Sequence, residues 1–422
     1  MATAEAPLAP PLGFLARFVR SYDRRMWALF LGRLTTSIGH GISFPFLAVY
    51  LTAHLGVAAW LAGAIVSTAA AMGGIAKYAG GTLSDRFGRK GVMLAALAGR
   101  GLTTLGLGIL ALQGTPHWAP VGLLFVLGSM SGFLFEPASQ AMVADVSDAR
   151  SRLAGYGLLR VGGNLGWGLG VLAGGFISAR GYSKMFLTTA GVLGIAYGLV
   201  HYLVRETGTR CAPGPRAGGP RGPRAWLASL DAPGFLLLCG VGVLINVVMA
   251  QLILPLSIYC NGTVGLSEDR IGFLYAINGF MIVALQFPAS RWVEDRYRLT
   301  TTLAFGSVLF AAGYAMVGFA HAFPMLALCV AVFTFGELLV APASLALSAN
   351  LAPTERRGLY LGVFGLAGMI GRTIGPLLGG FDLDLFRGAA WIHWAIVGAL
   401  ALVSAALFVV LRLRVDRSAD LG

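Results

Sequence analysis

Carboxylates are scarce in this chain. Its 422 residues hold 18 Asp and Glu against 31 Lys and Arg, and charged residues of both signs make up 12%. Soluble proteins carry about 25%, so a soluble enzyme, a soluble nucleic-acid binder and a disordered chain are all poor fits. Cysteine is sparse too. Cys211, Cys239, Cys260 and Cys329 are scattered, with neither metal-site spacing nor a disulfide framework. The sequence shows no Ser/His/Asp set, metal cluster or phosphate loop, so no enzyme activity, metal or cofactor is expected. No cleavable leader is expected either. Residues 1–12 are Ala/Pro-rich, and the first apolar run, from Met26, is long enough to stay in a membrane.

The chain has apolar length instead. Hydrophobic residues make up 57%, and there are 60 glycines without a G-x-y period, which excludes collagen. Glycine-rich apolar segments suit helices packed closely in a bilayer. About 20 apolar residues cross the hydrocarbon core. Twelve runs qualify: 26–51, 57–80, 91–112, 119–144, 153–177, 183–204, 233–259, 267–290, 300–320, 323–349, 358–381 and 391–411. The expected fold class is an all-α membrane protein with twelve transmembrane helices in two pseudo-symmetric six-helix bundles. Residues 1–25 form an N-terminal segment, 26–204 the first bundle, 233–411 the second, and 412–422 a tail. Between the bundles, 205–232 is a basic Pro/Gly-rich linker. Within the leader, Phe14 to Arg20 could lie along the membrane surface or be frayed.

The net charge of +13 sits in short loops rather than on a nucleic-acid-binding face. Of the 31 Lys and Arg, 22 fall on the side of the termini and the even-to-odd loops, 4 on the other side and 5 inside spans. The positive-inside rule then places both termini in the cytoplasm, in the inner (plasma) membrane.

The halves repeat. At an offset of 205, Pro137-Ala138-Ser139 falls on Pro342-Ala343-Ser344, Arg152 on Arg357 and Gly157 on Gly362. Gly166, Gly170, Gly174 and Gly175 fall on Gly371, Gly375, Gly379 and Gly380. At an offset of 210, Pro45 falls on Pro255 and Asp85-Arg86 on Asp295-Arg296. A parallel repeat of this kind puts a substrate site near the midplane, where the halves meet. The glycines are small-residue packing positions.

Between spans 2 and 3 lies Gly81-Thr82-Leu83-Ser84-Asp85-Arg86-Phe87-Gly88-Arg89-Lys90. It reads as a tight turn in which Gly81 permits close helix approach, Gly88 a sharp bend, and Asp85 a charge-assisted bond to Arg or Lys. In a twelve-span, two-repeat chain it resembles the loop signature of the major facilitator superfamily, with every fixed position present. The second copy, around Asp295-Arg296, is degenerate. The resemblance implies a gating motif. Asp85 and Arg89 would join the inner ends of the halves in the outward-open state, with Asp145 as a further partner. The glycine-rich span 5 resembles an element of drug–proton antiporters, although that element carries Gly-Pro where this chain has Gly170-Val171. The proline stands in the repeat instead, as Gly375-Pro376. Phe135-Glu136-Pro137 and Phe273 to Ile277 also look like the multidrug-exporter branch.

Ionisable residues inside spans face a cavity or a partner. Here they are Arg33, His40, Lys77, Arg100, Glu136, Arg160, Glu337 and Arg372, with Asn246 and Gln251 as polar neighbours in span 7. From the helical rise of about 1.5 Å per residue, Arg100 shares a level with Glu136, and Arg372 with Glu337. Each pair reads either as a fixed ion pair or as a carboxylate that exchanges a proton as the Arg moves away. Glu136, Glu337 and His40 are the proton-coupling candidates. Arg33, Arg160, Asn246, Gln251 and Arg372 are the substrate-cavity candidates. Lys77 and Arg33 lie close enough to span ends to snorkel.

The expected function is secondary transport of a small amphipathic or drug-like solute by alternating access, as a monomeric, proton-coupled exporter. Its partners are the solute, protons and the lipid bilayer. Two alternatives stand beside it: an organic-anion, metabolite or lysophospholipid carrier, and a non-transporting receptor or scaffold.

Overall fold

A computed structural model describes residues 24–114, 117–147, 152–207, 234–293, 296–353 and 356–420, without the side chains of 152–154 and 357–358. The leader before residue 24, most of the predicted linker, Cys211 and Asp295 lie outside the described residues, as do the side chains of Arg152 and Arg357.

Twelve long helices are described: α1 (Arg24–His54), α2 (Ala59–Phe87), α3 (Arg89–Leu112), α4 (Trp118–Val146), α5 (Arg152–Ser178), α6 (Tyr182–Leu203), α7 (Phe235–Gly262), α8 (Glu268–Val293), α9 (Leu299–Val317), α10 (Phe323–Leu351), α11 (Arg357–Leu385) and α12 (Trp391–Arg412). Eleven are long and apolar enough to cross a membrane. The other, α5, has 27 residues, or roughly 40 Å at the helical rise, which is longer than the hydrocarbon core is thick.

Three spans are interrupted. α1 breaks between Ser43 and Phe46 at Pro45 and ends in a wide turn, Tyr50–His54. α4 breaks at Leu134. α7 tightens over Ala250–Leu252, just before Pro255. Proline lacks the N–H that a continuous helix needs, and each break lies within a few residues of one: Pro45, Pro137 and Pro255.

Within the first half α1 packs on α5 and α6, α2 on α4, and α3 on α4 and α6. Within the second, α7 packs on α11, α8 on α10, and α9 on α10 and α12. The glycine repeat explains the α1–α5 and α7–α11 contacts. A methyl placed on Gly166, Gly170 or Gly174 would come within 2.4 Å of the carbonyl oxygens of Leu34, Ile38 and Ile42 on α1. In the repeat, a methyl on Gly371 would come within 2.4 Å of Val243 O, one on Gly375 within 2.5 Å of Ala250 Cβ, and one on Gly379 within 2.3 Å of Gln251 Oε1, all on α7.

The fourth glycine of each set turns to the other half. A methyl on Gly175 would lie 2.7 Å from Glu268 O of α8, and one on Gly380 would lie 2.3 Å from Ala59 O of α2. The carbonyls of Val171 and Pro376, which fall on each other in the repeat, approach Gly272 and Gly63 in the same way. The halves therefore meet along α5–α8 and α2–α11, backbone against backbone.

Polar bonds close the same end. Tyr182 Oη donates to Glu268 Oε1 at 3.0 Å. Trp60 N–H donates to Asp384 Oδ2 at 2.7 Å. Ser257 Oγ donates to Pro45 O at 3.2 Å. This far end lies opposite the end that carries residues 81–90, called the motif end below.

Candidate functional site

Apart from His40 and Arg100, the intramembrane charges gather where the halves face each other, from the midplane toward the motif end. Arg160 and Arg372 are exposed although both lie well inside their helices, and Lys77 and Glu136 keep 46% and 30% of their side chains accessible. With the far end closed, that exposure is to a cleft open at the motif end.

The pairs differ from those expected by level. Glu136 does not meet Arg100. Its Oε2 accepts from Lys77 Nζ at 3.1 Å and its Oε1 from Gln140 Nε2 at 3.1 Å. The break at Leu134 rephases the end of α4, so Glu136 faces α2 instead of α3. Lys77 is thus an ion-pair partner and does not snorkel. Arg100 points to the interior of the first half and contacts His40 Nδ1. The His40 ring is set between Phe44 and Trp167, at 4.5 and 5.4 Å.

Glu337 and Arg372 do not pair either. Glu337 Oε2 accepts from Asn278 Nδ2 at 3.0 Å, and the same amide donates to Thr334 Oγ1 at 3.0 Å. Arg372 Nη1 donates to Asn246 Oδ1 at 2.6 Å, while Asn246 Nδ2 donates to Gly242 O at 2.8 Å. Asn246 is therefore a buried support for Arg372 instead of a cavity wall. Gln251 is 2% exposed and donates to Val247 O and Gly375 O. It seals the tight turn of α7 against α11 and stays out of the cleft. Asn278, Gln140 and Lys77 escaped the sequence reading as site residues. For Asn278 a signal existed, a lone amide in an apolar run.

At the motif end, residues 81–90 are not one turn. α2 runs through Gly80 and Gly81 to Phe87, and only Gly88 bends, at φ +90°. A methyl on Gly81 would meet nothing within 4 Å, so in this conformation Gly81 serves no close approach. Asp85 accepts from Arg89. Arg89 Nε also donates to Asp145 Oδ2 at 3.3 Å, and its Nη1 to Ser84 Oγ at 2.9 Å. Arg86 stacks on Phe87, and Lys90 Nζ donates to His201 O at 2.6 Å. All these partners lie in the first half, so here the motif braces α2, α3, α4 and α6 and does not tie the halves together.

One residue completes the brace without having stood out in the sequence. Glu206, just past α6, accepts from Arg89 N–H at 2.9 Å and Lys90 N–H at 3.0 Å. Those are unpaired donors at the start of α3, and a carboxylate there also meets the positive end of the helix dipole. The second half repeats the device. Asp420, past α12, accepts from Thr300 N–H at 2.8 Å and Thr300 Oγ1 at 2.7 Å at the start of α9, and its own carbonyl accepts from Leu299 N–H. Arg89 and Lys90 fall on Leu299 and Thr300 at the offset of 210.

Comparison with known proteins places this architecture. The Major Facilitator Superfamily profile matches residues 29–259 and 236–421. A Na(+), Li(+), K(+)/H(+) antiporter of Planococcus maritimus is 27% identical, over 92% of this chain and 95% of that protein. The multidrug resistance protein MdtH of Proteus mirabilis is 26% identical, over 89% and 92%. Among solved structures, a peptide transporter POT in complex with sulfate superposes with a TM-score of 0.76 at 15% identity, covering 95% of this chain and 96% of that one. The chain belongs to the Major Facilitator Superfamily and is a multi-pass membrane transporter, not an enzyme.

Proposed function

We propose that this transporter is a proton-coupled exporter of a small amphipathic solute, working by alternating access as a monomer in the inner (plasma) membrane. Both termini and the motif end face the cytoplasm, and the described conformation loads solute from that side. The observation that carries the coupling is Glu337. It is a mid-span carboxylate held by a neutral amide, Asn278, and Arg160 on α5 of the opposite half is the cation assigned to act on it. The two residues stand on different halves, so motion of one half against the other changes their separation. A carboxylate gains or loses its proton as a nearby cation leaves or returns, so the rocking motion itself switches proton affinity. Glu136 suits the role less well, because Lys77 and Gln140 occupy both its oxygens within the same half and travel with it. His40 is boxed in beside Arg100. The names of the relatives, one a cation/H(+) antiporter and one a multidrug resistance protein, support coupling and export.

The test is transport by protein reconstituted in liposomes under an imposed pH gradient. Glu337→Gln should abolish gradient-driven transport while solute exchange without a gradient continues. Wild-type gradient-driven transport by Glu337→Gln would remove the carrier role.

A further inference from the structure

Two guanidinium groups stand at related places in the two halves. Arg33 of α1 lies against Gly163 of α5, where a methyl would come within 3.1 Å of Nε and 3.4 Å of Nη2. Arg372 of α11 lies back against Gly368 of its own helix, where a methyl would come within 3.4 Å of both terminal nitrogens. Gly163 and Gly368 correspond to each other at the repeat offset of 205. Each arginine thus rests flat on the same glycine position of its half. Both are close enough to Glu136 to act on it electrostatically.

The charges there do not balance. Glu136 is the carboxylate that Arg33, Lys77 and Arg372 share, and Lys77 and Gln140 already occupy its oxygens. Neither Arg33 nor Arg372 has a salt bridge to a described residue. A guanidinium carries five N–H donors in a planar fork. Asn246 takes one from Arg372, and its own amide, fixed on Gly242 O, turns the oxygen toward the arginine and aims the group. The remaining donors have the geometry that binds a carboxylate, phosphate or sulfonate by two parallel bonds. In a cleft open to water those donors can exchange hydration for a ligand of the opposite sign, and charge-assisted bonds of this kind are the stronger ones.

The geometry points to an acidic head group on the transported solute, held between Arg33 of one half and Arg372 of the other, with the rest of the solute apolar. Phe280, an exposed ring beside Gly168 where α5 and α8 meet, is the apolar surface assigned to that part of the solute. This inference deepens the central-cleft reading above and rests on it, but it concerns equilibrium binding and needs no proton gradient. A group that touches both halves favours their approach, so such a solute promotes the occluded state.

The test uses purified full-length protein and charge-matched probes: 2-naphthoate, 2-naphthamide and 2-naphthylmethylamine, with decanoate, decanamide and decylamine as a second skeleton. Thermal stabilisation and equilibrium binding are measured without a pH gradient. The acid of at least one skeleton should bind at least tenfold tighter than its amide and amine. Arg33→Gln and Arg372→Gln should each remove that preference, and Arg372→Lys should restore part of it. An acid that binds no better than its matched amide and amine in both skeletons overturns the proposal. So does an acid preference that survives either glutamine variant. Should a glutamine variant fail to fold, the lysine variants decide, since they keep charge but lose the fork: undiminished acid affinity in both would equally overturn it. Loss of proton-driven transport in Glu337→Gln, or its persistence, bears on the coupling and leaves this result unaffected.

Discussion

Glu136 shows what a carboxylate inside a bilayer requires. Lys77 and Gln140 satisfy it at 3.1 Å each, and both Lys77 and Glu136 stay partly accessible to the cleft. Removing one partner strands the other. On insertion scales an isolated charge at a helix centre costs about 2.5–3.5 kcal/mol, and access to cleft water makes that an upper figure here. Lys77→Met and Glu136→Gln should each lower the melting temperature of the purified protein, and the double variant should recover most of the loss. Additive losses in the double variant would show that the pair does not stabilise the first half. The sequence placed Glu136 in depth but not in azimuth. Counting residues gives a level along the helix, whereas the direction of a side chain past a break such as Leu134 depends on the break itself. The same gap separated Arg372 from its true support, Asn246.

Helices were the most legible part of the sequence, because a 20-residue apolar run in a bilayer has few other solutions. The glycine repeat was legible as well, and it proved to hold two kinds of contact: three glycines of each set bind their own half and the fourth touches the other. That division yields a sharp expectation. A methyl on Gly380 meets the backbone of Ala59 at 2.3 Å, and backbone cannot rotate away. Overpacking of this kind costs about 1–3 kcal/mol, here only in the conformation with a closed far end. Gly380→Ala should therefore shift the equilibrium away from it by roughly 5–150-fold, read as raised reactivity of single cysteines placed at the far end. Unchanged reactivity would mean that α2 and α11 slide freely at this contact. The helix caps, in contrast, were not legible. Glu206 lies 117 residues from Arg89 along the chain, and nothing local marks it as the cap of α3. Glu206→Gln should cost about 0.5–2 kcal/mol, the usual range for a lost N-cap. It should also loosen the motif end, measurable as faster amide exchange at Arg89 and Lys90. Full protection of those amides would assign the cap to another group.

Alternating access requires each half to present two competent surfaces, of which one structure shows one. The far end is joined here by backbone contacts at Gly63, Gly175, Gly272 and Gly380, while the motif residues, among the described residues, are engaged within the first half. That intra-half brace has a purpose on this reading. It keeps Asp85 and Arg89 pre-oriented on a rigid platform, so that closure at the motif end swaps partners instead of ordering loops. Gly81 is the position where the two conformations differ most plainly. It sits on α2 one turn before Asp85 with empty space around its Cα, so a larger side chain costs nothing here. When the motif end closes, the second half must arrive at that surface, and a bulky residue then obstructs it. Gly81→Leu should leave the melting temperature of the purified protein within about 1 °C, because surface changes that break no contact lie within about 0.5 kcal/mol. It should bind solute from the motif end with wild-type affinity, yet turn over at least tenfold more slowly. Solute exchange across liposomes, compared with binding to the same preparation, separates those two effects. Wild-type turnover would show that Gly81 stays clear of the second half throughout the cycle, and the closing surface would have to be sought elsewhere along α2.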